Sequence, residues 1–349
     1  MMRASTMHEY GEPNVLKLET LPLPKESAKY PILVKVAFTT VNPADAKQRS
    51  GNLKLVVKHN FPVSFGQDFS GVVESSLCPR FKAGDHVYGC TAPRNGCGAE
   101  YVCVAEKECT HKPAALPWAV AAASPTSVCT AFRGVVSIGG AAAGQKILVH
   151  GASGGVGAAM VQIAVALQCE VWGTCSSRNN EYLRSLGAKP LDYSNLAEEL
   201  AAAGFSGGSK PATDPGVQFD LVLDAVGGDD IYSLSLPLLA PHGRYVSAVG
   251  PVRMGGSEPI TIGTILWSMR TLIPRLLISA LWPRRKYCLY LAFSVTDLTD
   301  ATLKSLIEAG KVKPRIDPQP FDLGSLAEAH SKCETHHSSG RIAIQVAPP

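Results

Sequence analysis

The chain has 349 residues, 46% of them hydrophobic and 18% charged. This composition excludes a disordered or fibrous chain, and at roughly 100–200 residues per domain it predicts two domains with full-sized cores. Thirty-three basic against 29 acidic residues leave a net charge of +4, too mild for a nucleic-acid footprint.

Ten cysteines in a chain this long do not make a disulfide scaffold. No Cys-x-x-Cys occurs, and Cys90, Cys97, Cys103 and Cys109 are spaced six or seven apart. A structural zinc site needs closer ligand pairs. The expectation is no bound metal and reduced thiols in a reducing compartment. The opening residues, Met1 to Tyr10, have no apolar signal core and include Glu9. They fit neither a secretory nor a transit segment. The expected location is the cytoplasm, with the periphery of an organelle membrane as the alternative.

The first hundred residues read as β-rich. Ile32–Phe38, Gly71–Val73 and His86–Tyr88 are short apolar runs bounded by Gly, Pro and Asp, the pattern of a β barrel or sandwich. Helical spacing begins at Trp118–Ala123. Past Ser124 the grammar changes. Lys146–His150 is a short apolar strand of the kind that a parallel sheet buries on both faces. A glycine-rich turn, a helix over Val156–Leu167 and a second strand over Cys169–Thr174 follow. Glu181–Leu186 continues as helix to Gly187. Phe219–Asp224 and Gly243–Ser247 are further buried strands, and Ala201–Gly216 is a Gly/Ser/Pro loop. Strands alternating with helices predict right-handed βαβ units in a doubly wound parallel sheet. The tail holds helices over Ala301–Ala309 and Ser325–Cys333 and a strand over Arg341–Val346. It has no partner layer of its own, so it is expected to rejoin the first domain.

His150-Gly-Ala-Ser-Gly-Gly-Val-Gly157 sits between a strand and a helix. Bare backbone N–H groups and the positive end of a helix dipole attract a pyrophosphate there, and glycines let the chain come close. At the end of the second strand, Thr174-Cys-Ser-Ser-Arg-Asn-Asn180 contains no Asp or Glu. A carboxylate there would accept ribose hydroxyls and repel a 2′-phosphate, whereas Arg178 can pair with one. The predicted cofactor is NADP(H). The competing reading of Arg178 is a solvated loop cation.

Set in order, these pieces resemble the medium-chain dehydrogenase/reductase superfamily in its quinone-oxidoreductase-like branch. The resemblance rests on Asn42-Pro-Ala-Asp45, Phe61–Val73, Phe81–Gly89, Thr130-Ala-Phe132, Gly151–Gly157, Asp224-Ala-Val-Gly-Gly228 and Ser339–Ile344. It implies an α/β protein: a GroES-like β-barrel domain from 1–124 and 296–349 around a Rossmann NADP(H)-binding domain from 125–295. It also implies that Ser153, Gly154, Gly155 and Val156 hold the pyrophosphate. Ser177 and Arg178 would take the 2′-phosphate and Tyr193 would flank the adenosine. Val226 and Gly227 would pack on the nucleotide, Thr130 would approach the nicotinamide, and Phe293 and Val295 its ribose. Zinc alcohol dehydrogenases of the superfamily carry Gly-His-Glu where Gly66-Gln67-Asp68 stands, and a catalytic Cys near Asn42. Neither is present, so the implied reaction is reduction of an electrophile: a quinone, or the C=C of an α,β-unsaturated carbonyl. Asn42-Pro-Ala-Asp-Ala-Lys47 looks like the alkenal/oxoene-reductase subgroup, which makes Asn42 and Lys47 the candidate catalytic residues. Helix capping is the competing role for Asn42, and an exposed helix lysine for Lys47. The alternative function is an NADPH-binding protein of the same fold with a non-enzymatic or membrane-associated role.

A Tyr-x-x-x-Lys pair, needed by a short-chain dehydrogenase, is absent. Pro259–Trp282 is apolar and is followed by Arg284-Arg-Lys286. Arg270, Arg275 and Pro274 make it a poor membrane span. The remaining readings for 259–286 are a lid, a homodimer interface or a helix lying on a membrane surface.

Overall fold

The computed structural model describes residues 1–205, 218–251, 259–281, 286–290, 296–335 and 337–348. Phe293 and Val295, and most of the loop expected over 201–216, lie outside the described residues.

Six strands form one parallel sheet: Lys146–His150, Glu170–Cys175, Lys189–Asp192, Phe219–Asp224, Leu239–Ser247 and Lys286–Leu289. Their spatial order is third, second, first, fourth, fifth, sixth, and all five pairings are parallel. This is the Rossmann order. It follows from the sequence pattern: Ile147, Leu148, Leu221, Val222 and Leu223 are nearly all wholly buried, as strands covered on both faces must be. The chain reverses its direction of winding between Lys146–His150 and Phe219–Asp224. A crevice opens at the carboxyl ends of such a strand pair, and ligands bind there in open α/β sheets.

The second large sheet is centred on Ile32–Val41. That strand pairs antiparallel with Asp68–Ser76, with Tyr101–Val104 and with Ile342–Gln345 from the far end of the chain. The sheet is therefore completed by strands from the far end of the chain, the arrangement of a GroES-like domain. The rest of the tail divides. Leu326 and Ala329 pack with Val41, Phe65 and Ile344. Leu303 and Ile307 instead share a core with Ile147, Val149 and Met160. The Ala301–Glu308 helix thus turns its single apolar stripe, Leu303 and Ile307, into a core cluster that also holds Tyr88 and Leu116.

A short helix, Pro43–Arg49, starts where the Ile32–Val41 strand ends. Pro43 at its first position loses no needed hydrogen bond. Sequence periodicity is too short here to predict it.

Candidate functional site

The glycine turn lies at the winding reversal. Gly151 has φ +70°, a left-handed conformation that favours glycine. At Gly157 a Cβ would stand 2.1 Å from the carbonyl oxygen of Gly151. No side chain fits there, so the helix Gly155–Ala166 can begin directly under the turn. Gly154, its N-cap residue, supplies no side-chain cap. The first N–H groups of that helix are left for an outside acceptor. The turn is tethered to the second strand: Gly151 N donates to Thr174 Oγ1 at 3.1 Å and Ala152 N to the Thr174 carbonyl at 3.0 Å. Buried His150 bridges Ser235 Oγ (2.8 Å) and Thr174 Oγ1 (3.5 Å), and burial pushes its pKa down.

Asp224 shapes the neighbouring turn. Its Oδ1 accepts from Val226 N and Gly227 N, both at 2.8 Å, and its Oδ2 from Tyr245 and Ser247 hydroxyls. Val226 is thereby held against the glycine turn, its Cγ2 2.8 Å from where a Gly151 Cβ would be. Thr130 is buried, with its hydroxyl turned back onto the Thr126 carbonyl at 2.6 Å. Its carbonyl accepts from Tyr290.

Ser177 and Arg178 lie exposed in a short 3-10 turn just past the second strand. Tyr193 is 63% exposed beside them. The carboxylate absent from the carboxyl end of the second strand arrives on the third. Parallel pairing puts Asp192 opposite Cys175. Asp192 accepts from the backbone N–H of Ser194 and of Ser177, and the Ser194 bonds above all hold it below the usual carboxylate range. A search confined to about twenty residues past the turn misses it. Strand pairing, which sequence reading did not use here, is the signal that finds it.

On the other side of the crevice stands a buried polar cluster. Asp68 is wholly buried and accepts five hydrogen bonds. They come from Thr40 Oγ1 (3.1 Å), Asn42 Nδ2 (3.1 Å), Arg341 Nη2 (3.1 Å), Thr126 N (3.1 Å) and Thr126 Oγ1 (2.6 Å). Arg341 also reaches Thr40 Oγ1 at 3.2 Å. The arm of this arginine lies against the cofactor-type turn, its Cδ 2.6 Å from where a Gly155 Cβ would stand. Arg341 Nε is buried without a hydrogen-bond partner. An orphaned cationic donor beside an uncapped helix N-terminus suits an anion. The family resemblance includes Ser339–Ile344 but implies no role for Arg341. The local signal for Arg341 is a guanidinium directly before the mostly apolar strand Ile342–Gln345.

Asn42 does not fit the role of free oxyanion donor. Its amide nitrogen donates both to Asp45 Oδ2 (3.0 Å) and to Asp68 Oδ2, and its backbone N–H also donates to Asp45 Oδ2 at 2.7 Å. Two amide hydrogens facing two carboxylates leave none for a substrate. The reason is local: the residue before a helix recruits the carboxylate three positions on. Asn42 thus ties the start of the Pro43–Arg49 helix to Asp68. Burial pushes Asp45 up to about 7, opposed by the Asn42 bonds and reinforced by Asp68. Lys47, on the same helix, is half-buried, and burial lowers its pKa. Among the described residues its ammonium has no ion pair.

Gln67 is 3% exposed; its backbone carbonyl accepts from Thr91 N and Cys97 Sγ, and its side-chain Nε2 is buried without a hydrogen-bond partner. Among the described residues no three His, Cys, Asp or Glu side chains converge as a metal site would require. Protein purified in chelator-free buffer is expected to carry substoichiometric zinc, and elemental analysis finding a full equivalent overturns this.

Comparison with known proteins agrees with this geometry. Residues 28–114 match the family described as alcohol dehydrogenase GroES-like domain, and 197–344 the family described as zinc-binding dehydrogenase. The chain is 30% identical to NAD(P)H oxidoreductase RTN4IP1, mitochondrial, of Bos taurus, over 99% of this chain and 89% of the relative. It is also 30% identical to NADPH-dependent alkenal/one oxidoreductase, chloroplastic, of Arabidopsis thaliana, over 99% and 80%. The chain belongs to the medium-chain dehydrogenase/reductase family. Among solved structures, the quinone oxidoreductase of Coxiella burnetii is similar at 29% identity and TM-score 0.76, covering 99% of each chain. As a member of this family the chain is an oxidoreductase, with the GroES-like and Rossmann parts described above.

Proposed function

We propose that this protein is an NADPH-dependent, zinc-independent reductase of quinones or of the C=C of α,β-unsaturated carbonyls. The observation that carries the reading is the uncapped glycine turn at the winding reversal, with the orphaned donor of Arg341 against it. The names of relatives, an alkenal/one oxidoreductase and a quinone oxidoreductase, support the substrate class. Bound there, the cofactor would supply a hydride from nicotinamide C4. Ser153, Gly154, Gly155 and Val156, with Arg341, would hold the pyrophosphate. Val226 and Gly227 would pack on the nucleotide. Lys47 would stabilise the oxygen on which negative charge develops, and water would deliver the proton.

Cofactor choice is a contest between two charges. Arg178 favours a 2′-phosphate and Asp192 opposes one. Arg178→Ala is expected to weaken NADPH binding while leaving NADH nearly unchanged, and Asp192→Asn to widen the preference for NADPH. Titration of both cofactors by fluorescence checks this. Equal affinities in the wild type would sink the NADPH reading. The reductase reading is tested by NADPH oxidation against a quinone, an alkenal and a long-chain enone. Tight NADPH binding with no acceptor reduced would replace it with a non-enzymatic role.

A further inference from the structure

The helix Ile262–Leu281, whose lead-in residue Ile260 donates its N–H to the Asn52 carbonyl at 2.9 Å, is assembled inside out. Thr264, Ser268, Thr271, Arg275 and Ser279 recur every three or four residues and so form one polar stripe. That stripe is the half-buried one and faces the protein. Arg275 Nη2 donates to Asp229 Oδ1 at 2.7 Å, and its guanidinium lies 3.9 Å from the centre of the Tyr232 ring. Ser279 Oγ donates to the Tyr287 carbonyl at 3.3 Å and accepts from Tyr287 N at 3.1 Å. The opposite stripe is Ile262, Leu266, Met269, Ile273 and Leu277, between 47% and 69% exposed. An amphipathic helix on a protein in water normally turns these faces the other way. Five large apolar side chains in one row form a contiguous patch of the kind that marks an interaction surface.

We propose that this face docks on an anionic membrane surface, the helix lying in the headgroup plane. Charge selects the occupant. Between Glu258 and Asp297 the sequence has no acidic residue, while Arg270, Arg284, Arg285 and Lys286 fall there in addition to the inward-paired Arg275. Arg270 is exposed beside the apolar stripe. A second copy docking through the same patch would face Arg270 with another basic patch and no carboxylate to pair it. Phosphate headgroups supply the missing negative charge, and acyl chains take the leucine and isoleucine side chains. Trp267, 48% exposed at the edge of the stripe, suits the boundary between the two. A transmembrane span does not compete, because Arg275 is anchored to Asp229 within the protein.

The inference stands apart from the redox reading, since its test needs no turnover. The full-length protein is sedimented with vesicles of phosphatidylcholine alone and with vesicles rich in phosphatidylglycerol, at low and high salt. Wild type is expected to co-sediment with the anionic vesicles, and to lose binding in high salt. Leu266→Glu/Leu277→Glu, on exposed positions, should reduce binding about tenfold or more, as each places a charge among the acyl chains. Arg270→Glu should weaken it through charge alone. Circular dichroism and NADPH titration of the variants confirm that the fold persists. Failure of wild type to bind anionic vesicles overturns the proposal. So does a dimer in sedimentation equilibrium that the double substitution splits while vesicle binding is absent, which assigns the face to a second copy.

Discussion

Asp68→Ala is expected to cost the protein about 3–5 kcal/mol, the range for breaking a buried pair and leaving its partner charged. Both side chains are screened from water, with Asp68 0% and Arg341 8% exposed. Removing the carboxylate strands the guanidinium and also unsatisfies Thr40, Thr126 and Asn42. Urea denaturation followed by circular dichroism measures the loss. The pair itself is a different quantity. Desolvation offsets much of its attraction, so Asp68→Leu/Arg341→Met should be markedly more stable than Asp68→Ala alone. If Asp68→Ala costs less than about 1 kcal/mol, the surface-pair range, the cluster is wetter than its geometry says. The double variant has a second use. It removes Arg341 from the cofactor-type turn without a buried orphan charge, so weakened NADPH binding in that background reports on Arg341 itself.

The legibility of this protein in its sequence follows range. Lys146–His150, Phe219–Asp224 and the glycine turn are local patterns, and each was readable because the burial and the backbone approach it needs are written in adjacent residues. The pairing of the last strand with Ile32–Val41 was readable only as a remainder: a strand with nowhere else to go. Arg341 and Asp68 are 273 positions apart, and no spacing rule links them. Gln67-Asp68 stands where zinc ligands would stand, and nothing in the adjacent residues shows that Asp68 organises a buried cluster. Asn42 shows the reverse difficulty. Its motif was legible, but capping and substrate binding call for the same residue before a proline, and only the position of Asp45 decides between them. Asp192 was hidden because adjacent strands in a parallel sheet are joined by a crossover, so the residue beside Ser177 in space is fifteen away in sequence.

In the proposed reaction Lys47, rather than Asn42, stabilises the developing negative charge. A developing enolate or quinol oxygen is best stabilised by a charged donor that is not already occupied. Lys47 is half-buried and, among the described residues, unpaired, while Asn42 is fully engaged. Oxyanion donors held rigidly in place are worth on the order of 10²–10³ in kcat. An ammonium on a flexible stem is less preorganised, so Lys47→Met is expected to lower kcat by about tenfold with the best acceptor. The pH profile separates this role from a structural one. Burial disfavours the charged form, so Lys47 loses its proton at lower pH than a free lysine. Wild-type kcat should therefore fall as pH rises through that lowered value, while Lys47→Met should be slow and flat over the same range. Lys47→Arg keeps its charge to higher pH, so it should retain part of the rate and move the fall upward. A Lys47→Met enzyme with full kcat, or one that keeps the wild-type alkaline fall, removes Lys47 from the reaction and leaves backbone donors to stabilise the oxygen.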